Sequence, residues 1–184
     1  MPVTVELSTT LACTPDEAWE QVQTSALLSH VAAPLIRFTP QGGTPFPAIW
    51  APGEYRAWMW LFGFLPIGWQ AVVISEPAPD GNTRFIRDNG YGPLIKQWDH
   101  WIAIAPGEGG TTHYTDRVAI DAGLITPLIT AFARVFYAHR QRRWPNPHRR
   151  RAPLNHKPTH QRRPCRPSRP TSPAPAGTRR PRPA

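Results

Sequence analysis

Residues 126–144 read TPLITAFARVFYAHRQRRW, and this stretch decides how the rest of the chain can be arranged. Its apolar residues recur at the three- and four-residue spacing of an α-helix, and the predicted apolar stripe consists of Ile125, Leu128, Ile129, Phe132, Ala133 and Phe136. Thr126 is suited to cap this helix, and Pro127 is suited to its first turn. Basic side chains complement the helix dipole in the last turns, at Arg140, Arg142 and Arg143. At about 1.5 Å per residue the helix would be roughly 27 Å long, enough to cross a sheet.

Most of the chain before this helix has the pattern of β-strands. VTVELSTTL at 3–11 alternates apolar and polar residues, as a half-buried strand does. Two short helices follow, one opened by Thr14-Pro15-Asp16-Glu17 and one at 25–32. Further strands are predicted at 35–38, 53–62, 67–76, 83–88, 94–105 and 111–122. Tight turns between consecutive strands predict an antiparallel meander. The predicted fold is therefore α+β, a curved antiparallel sheet of about six to seven strands with the long helix across it.

Charge divides the chain at residue 145. Residues 1–144 hold ten basic and all twelve acidic residues, a net charge of −2, whereas residues 145–184 hold eleven basic residues, no acidic ones and eleven prolines. We expect residues 1–144 to form one domain with its own core, and residues 145–184 to be a disordered Arg/Pro-rich tail. Two interpretations of the tail stay open. It could bind nucleic acid or anionic membrane nonspecifically through its charge, or it could be the product of a frameshift in GC-rich DNA.

One segment is long enough to test for a membrane span. Residues 57–74 carry no charge over 18 residues, which is close to spanning length. Gly63, Pro66 and Gly68 fall at its centre, where a hairpin would turn, so two buried strands are favoured. The two cysteines form neither a disulfide framework nor a zinc pattern, and no secretory signal opens the chain. These observations predict a cytoplasmic protein.

Several features together resemble the START/Bet v 1-like superfamily, whose bacterial members are called SRPBCC or polyketide cyclase/dehydrase-like proteins. The features are the order of elements, the strand with Trp98-Asp99-His100, the GGT turn, the YTDRV strand at 114–118 and the last helix ending in HRQRRW. The resemblance covers residues 1–144. It implies a helix-grip fold around a hydrophobic pocket for a lipid, a polyketide or another apolar molecule, and it implies no single reaction.

A polar pair is predicted on the inner face of the sheet. His100 shares the apolar phase of its strand, and Tyr114 and Asp116 share that of the next. With the turn centred on Glu108, matched phases pair His100 with Asp116, Ile102 with Tyr114 and Trp98 with Val118. Such a pair would raise the pKa of His100 and orient its ring. His100, Asp116 and Tyr114 are therefore the candidate catalytic residues for acid-base chemistry, although a pair that fixes register or faces outward, or one that orients a ligand, fits the same pattern.

Aromatic and aliphatic side chains on the sheet and the long helix are the candidate walls of a ligand pocket. They are Trp58, Trp60, Trp98, Ile102, Val118, Ile120, Phe132 and Phe136. The face with Trp58 and Trp60 has a second interpretation, an exposed patch for a partner or a membrane. We expect a closed apolar cavity of roughly 300–1,000 Å³ between sheet and helix.

No motif for a phosphate, a dinucleotide, a metal or a catalytic nucleophile occurs in the chain. The sequence therefore predicts no cofactor and no metal, and gives no indication of oligomeric state. The first hypothesis is a protein that binds a hydrophobic small molecule, and the alternative is a cyclase or dehydratase acting on a polyketide-like substrate.

Overall fold

The computed structural model of the protein describes residues 1–144. Its elements, in chain order, are β1 (Val3–Leu11), α1 (Pro15–Val22), α2 (Ser25–Ala32), β2 (Ile36–Pro40), β3 (Gly53–Leu61), β4 (Leu65–Ser75), β5 (Arg84–Gly90), β6 (Gln97–Pro106), β7 (Thr112–Asp121) and α3 (Thr126–Arg142). The predicted order of strands and helices is confirmed, with boundaries that move by up to three residues. The predicted tail, residues 145–184, lies outside the described residues.

The seven strands form one antiparallel sheet with the order β1-β7-β6-β5-β4-β3-β2. β2 to β7 are a meander, and β1 joins its far end by pairing with β7. The charge-free segment 57–74 forms parts of β3 and β4, which pair as the predicted hairpin. Of the helices in residues 1–144, none combines the length and apolar character that a membrane span needs. The strand order and the helix α3 together confirm the predicted antiparallel sheet with a long final helix.

The first helix begins as its sequence predicts. Thr14 Oγ1 accepts a hydrogen bond from the Glu17 backbone N–H at 3.3 Å, and the Glu17 carboxylate accepts one from the Thr14 N–H at 2.9 Å. This reciprocal capping box satisfies two donors that the helix itself leaves unpaired. The start of α2 is also capped by a threonine, because Thr24 Oγ1 accepts a hydrogen bond from the Leu27 N–H at 3.1 Å.

The inward face of the long helix is rotated from the predicted stripe: Ala133 and Phe136 are buried and Ile129 and Phe132 pack against the core as predicted, whereas Ile125 and Leu128 are exposed. Leu128, a member of the predicted stripe, exposes 69 % of its surface. The buried residues of α3 are Thr126, Thr130, Ala133, Phe136, Tyr137 and Arg140. The carboxylate of Asp116, buried in β7 below the last turns of α3, accounts for this orientation, because an inward-facing arginine can compensate its charge.

The predicted capping role of Thr126 is also wrong. Ile125 occupies the cap position, and its side chain makes no capping hydrogen bond. The Thr126 hydroxyl instead accepts from the Ala122 N–H at 2.9 Å and donates to the Gly123 carbonyl at 2.7 Å. It therefore fixes the turn that leads from β7 into α3.

Two groups of buried side chains form the core. One joins α1, α2 and the loop before β3 to the middle of the sheet, and it includes Val22, Leu27, Trp50, Ile86 and Ile104. The other joins α3 to β1, β6 and β7, and it includes Val5, Trp98, Ile120, Ala133 and Phe136. The helices thus cover one face of the sheet.

Replacing Ile120 by alanine should lower the free energy of unfolding by about 2–5 kcal/mol, because its side chain is fully buried and the surrounding core can close only part of the cavity. The matched control is Ile49→Ala at a residue that exposes 64 % of its surface, where we expect a change within about 0.5 kcal/mol. Urea denaturation of both variants measures the difference. Equal losses in the two variants would contradict the placement of Ile120 in the core.

Candidate functional site

A cluster of buried polar side chains lies between β6, β7 and the last turns of α3, with Asp116 at its centre. His100 Nε2 lies 2.9 Å from Asp116 Oδ1, and the Tyr114 hydroxyl donates to the same oxygen at 2.8 Å. The second carboxylate oxygen accepts from Gln141 Nε2 at 3.1 Å. Arg140 Nε is 3.8 Å from Oδ1. The three residues predicted from the strand phases are thus in contact, and two residues of α3 join them.

The contact arises from a different register than the one predicted. His100 pairs with Val118 and Asp116 pairs with Ile102, so the side chains of His100 and Asp116 meet across a diagonal. The predicted pairing of His100 with Asp116 is wrong by two residues. The turn is centred one residue later, on Gly109, which has a positive φ of 62°. A two-residue shift keeps every side chain on its own face, and the inner face therefore keeps its predicted composition.

Burial sets the charges of this cluster. It lowers the pKa of His100 and outweighs the hydrogen bond to Asp116, which acts in the opposite direction. The predicted rise in the pKa of His100 is therefore wrong. Burial alone would raise the pKa of Asp116, but Arg140, His100 and Tyr114 lower it overall. At neutral pH the pair consists of a neutral imidazole and a carboxylate, with the Nε2–H of His100 donating to the carboxylate.

Arg140 is the site residue that the sequence reasoning assigned to another role. It exposes only 5 % of its surface, and its Nε has no hydrogen-bond partner within residues 1–144. A signal for its position was present, because Arg140 continues the helical spacing of Ala133 and Phe136. The sequence pattern interprets Arg140, Arg142 and Arg143 by their place at the end of the helix, and that place does not distinguish the faces on which they lie.

A cavity of about 50 Å³ lies between the inner face of the sheet and the helices. Its apolar wall includes Leu27, Leu28, Trp50, Val72, Ile86 and Ile102. Its polar end is formed by Asp88, His100 and Arg140. The predicted volume of 300–1,000 Å³ is wrong for this structure, because the side chains of Leu27 and Leu28 on α2 and of Trp50 fill much of the space above the sheet. A groove of about 270 Å³ beside β1 and Arg134 is larger, but it is open to solvent.

Asp88 is another residue of the site, and the sequence analysis predicts no role for it. Its Oδ1 accepts the Val73 backbone N–H at 2.8 Å, and its side chain borders the cavity. Burial raises its pKa to about 7, although the Val73 hydrogen bond and Arg140 act against that rise. The signal for this position was the inward-facing Ile86 two residues earlier, because alternate residues of a strand share a face.

The eight predicted pocket residues take different positions. Ile102 lines the cavity. Trp98, Val118, Ile120 and Phe136 are buried in the core below α3, and Phe132 packs against that core. Trp58 exposes 46 % of its surface and Trp60 is half-buried, so the face that they share is not a wall of the cavity. The pleat of β3 explains this, because Ala57 and Met59 take the inward positions.

Several tryptophans outside the core are covered by arginines. The guanidinium of Arg56 lies 5.3 Å from the ring of Trp69, and that of Arg87 lies 5.0 Å from the ring of Trp101. Arg87 also makes a two-point ion pair with Asp99, at 2.7 and 3.0 Å. These contacts explain how the chain holds apolar rings on both faces of its sheet.

In the described part of the chain, no group of three His, Cys, Asp or Glu side chains is placed to hold a metal ion.

Asp88→Asn should change how stability depends on pH. The folded protein holds the Asp88 proton up to about pH 7, whereas the unfolded chain loses it near about pH 4, so the wild-type free energy of unfolding falls as pH rises between these values. We expect Asp88 to contribute about 2 kcal/mol of this loss between pH 5 and pH 8, and Asp88→Asn to remove that part. Urea denaturation at both pH values measures it, with the exposed Asp80→Asn as a control that keeps the wild-type dependence. An unchanged dependence in Asp88→Asn would contradict the assignment.

Comparison with solved structures supports the fold derived above. A START superfamily protein from Mycobacterium smegmatis is 14% identical, with a TM-score of 0.53 over 76% of this chain and 92% of that one. Protein CV1439 from Chromobacterium violaceum is 13% identical, with a TM-score of 0.56 over 76% of this chain and 92% of that one. A conserved protein from Geobacillus kaustophilus is 14% identical, with a TM-score of 0.52 over 77% and 91%. The chain has the predicted START/Bet v 1-like fold.

A search of curated proteins finds no match. A family model described as a domain of unknown function, DUF8410, matches residues 9–146. This match covers the last three residues of β1, the strands β2 to β7, all three helices and every residue of the buried polar cluster. The chain therefore belongs to the DUF8410 family, and its own fold is START/Bet v 1-like.

Proposed function

We propose that residues 1–144 form a domain that binds a small, mainly apolar molecule in the cavity between the sheet and the helices. The observation that carries this proposal is the composition of that cavity. Its walls are aliphatic and aromatic side chains from both layers, and its polar groups are gathered at one end. Small-molecule sites in proteins have this composition, with a few polar groups that orient the ligand. The cytoplasm stays the predicted location.

The cavity must widen to admit a ligand of ordinary size. At about 50 Å³ it holds about three water molecules. The wall that faces the sheet comes from Val22 of α1, from Leu27 and Leu28 of α2 and from Trp50 in the loop before β3. Trp50 in that loop packs against Phe46 and Tyr55 with ring centroids 5.2 and 5.0 Å apart. Its backbone N–H donates to the Gln23 carbonyl at 2.7 Å. Displacing this side of the cavity leaves the sheet and the polar end in place.

Enlarging the cavity should strengthen the binding of an apolar probe. Leu28→Ala removes a half-buried side chain from the wall, and an apolar cavity made in this way can accept an apolar molecule. We expect 1-hexanol to bind Leu28→Ala severalfold more tightly than the wild-type protein. The measurement is an NMR titration of the ¹⁵N-labelled full chain, in which the shifted amides should belong to β4, β5 and β6 around the cavity.

The matched control is Leu124→Ala at a fully exposed leucine, which should bind 1-hexanol as the wild-type protein does. Amide shifts spread over the outer face of the sheet, or identical titrations for Leu28→Ala and Leu124→Ala, would contradict binding in the cavity.

The second candidate function is acid-base catalysis by a cyclase or dehydratase on a polyketide-like substrate. One observation favours it: Asp88 and His100, two groups able to transfer protons, border the same cavity. Of the predicted catalytic residues, His100 reaches the cavity, whereas Tyr114 and Asp116 lie behind it and orient the imidazole through Asp116 Oδ1. In this candidate function Asp88 and His100 act on the substrate, and Asp116 and Tyr114 position His100.

This candidate predicts that the protein converts a linear poly-β-ketone thioester into a product that has lost water. Mass spectrometry measures the rate at which this product forms. His100→Gln and Asp88→Asn should each lower the rate by about 10²–10⁴-fold, which is the usual contribution of a general acid or base. His113→Gln, at an exposed histidine of β7, is the matched control and should keep the wild-type rate. Binding of the thioester without conversion would favour the binding function alone.

A further inference from the structure

The polar end of the cavity contains a buried cation, Arg140, one of whose hydrogen-bond donors has no acceptor in the described part of the chain. A guanidinium has five N–H donors and is charged at every physiological pH. Arg140 is buried, and its Nε has no acceptor among residues 1–144. Leaving a buried charged donor without an acceptor costs free energy, so a fold that keeps one in place usually has an acceptor for it.

The nearest anion does not fill this role. Asp116 Oδ1 accepts from His100 and Tyr114, and Oδ2 accepts from Gln141. All three donors are uncharged at neutral pH, and together they take up most of the directions in which the carboxylate accepts hydrogen bonds. At 3.8 Å, Arg140 Nε is within ion-pair range of Asp116 but too far for a hydrogen bond. Asp116 therefore compensates the charge of Arg140 while leaving its Nε without an acceptor among residues 1–144.

The unpartnered Nε belongs to a residue that lines the cavity. Arg140 borders the space together with Asp88 and His100, and the opposite walls are apolar. A guanidinium in such a setting binds the two oxygens of a carboxylate better than it binds a single neutral oxygen, because the planar fork matches the planar anion. We infer that the ligand of this cavity is an apolar molecule with a carboxylate head group, and that Arg140 binds that head group.

This inference rests on the proposed binding function and deepens it by naming the ligand class. The apolar part of the ligand would lie against Leu27, Val72 and Ile86, and the carboxylate would take the polar end. The volume of about 50 Å³ suits the head group as the structure stands, while the chain of the ligand needs the widening described above.

Asp88 makes this binding depend on pH. Its carboxyl group faces the same space, and the charged or titratable groups around it are Arg140 and Tyr137 on α3, His100 and Asp99 on β6, and Asp116 and Tyr114 on β7. Between pH 6 and pH 8 the pKa of Asp88, about 7, is crossed, while burial keeps His100 neutral and both tyrosines protonated. A carboxylate ligand is therefore repelled more strongly at pH 8, where Asp88 is ionised.

The test compares hexanoate with 1-hexanol, which share one chain and differ in the head group. Both are titrated into the ¹⁵N-labelled full chain at pH 6, and the amides around the cavity report the binding. We expect hexanoate to bind roughly tenfold more tightly than 1-hexanol to the wild-type protein, and Arg140→Met to remove this preference. Arg142→Met, at an exposed arginine of the same helix, should keep it.

Arg140→Met leaves Asp116 as an unbalanced buried charge and will destabilise the fold, so a second variant is needed. The double variant Arg140→Met with Asp116→Asn removes both charges together and keeps a side chain that can accept from Tyr114. It should fold, bind 1-hexanol and show no preference for hexanoate. In Asp88→Asn, the loss of hexanoate affinity between pH 6 and pH 8 should disappear.

The outcomes separate this inference from the proposed function. Binding of 1-hexanol at the cavity with no tighter binding of hexanoate, or a hexanoate preference that survives in the double variant, overturns the carboxylate inference and leaves the binding function standing. If neither probe shifts the amides of β4 to β6, both are overturned.

Discussion

The burial of Arg140 and Asp116 beneath the last turns of α3 is the constraint on which the rest of the structure depends. A charge in the interior has to be compensated and hydrogen-bonded, and here the compensation comes from one helix while most of the hydrogen bonds come from two strands. This requirement fixes the rotation of α3 about its own axis. Burial keeps His100 neutral by lowering its pKa, and the positive charge of Arg140 acts in the same direction.

The two faces of the sheet handle their aromatic side chains differently. On the inner face, tryptophans pack into the core, as Trp98 does against Tyr137 with ring centroids 6.1 Å apart. Other tryptophan rings lie under guanidinium groups, as Trp69 does under Arg56 and Trp101 does under Arg87. An arginine in such a position covers apolar area and keeps its charge in water. The high tryptophan content therefore does not produce an aromatic cavity: among the tryptophans of residues 1–144, Trp50 is the one that lines it.

The sequence predicts what depends on short-range periodicity. Strand alternation places Tyr114 and Asp116 on the inner face, and the structure agrees because alternation survives any even shift in register. The exact pairing was wrong, since it depends on the residue at which the turn is centred, and Gly109 and Gly110 both take a positive φ there. The face of α3 was right for Ala133 and Phe136 and wrong for Leu128, because apolar content favours Leu128, whereas the Arg140 that compensates Asp116 lies on the inward side.

The role of Asp88 illustrates a third limit. Its position on the inward phase of β5 is visible in the sequence, but its pKa depends on burial by helices far away in the chain. The volume of the cavity has the same origin, because it is the space left over after Leu27, Leu28 and Trp50 have packed. Such quantities are differences between large volumes or large energies, and no single stretch of sequence determines them.

The division of the buried polar cluster between β7 and α3 also bears on how the chain is completed during translation. Asp116 has two of its partners, His100 and Tyr114, as soon as β6 and β7 have left the ribosome. Gln141 follows 25 residues later, together with the guanidinium that compensates the carboxylate. A nascent chain that has paired all its strands therefore still carries an uncompensated acid on the open side of the sheet, and that acid favours continued hydration there. The last helical turns of α3 therefore complete both the charge balance and the hydrogen bonding of this acid.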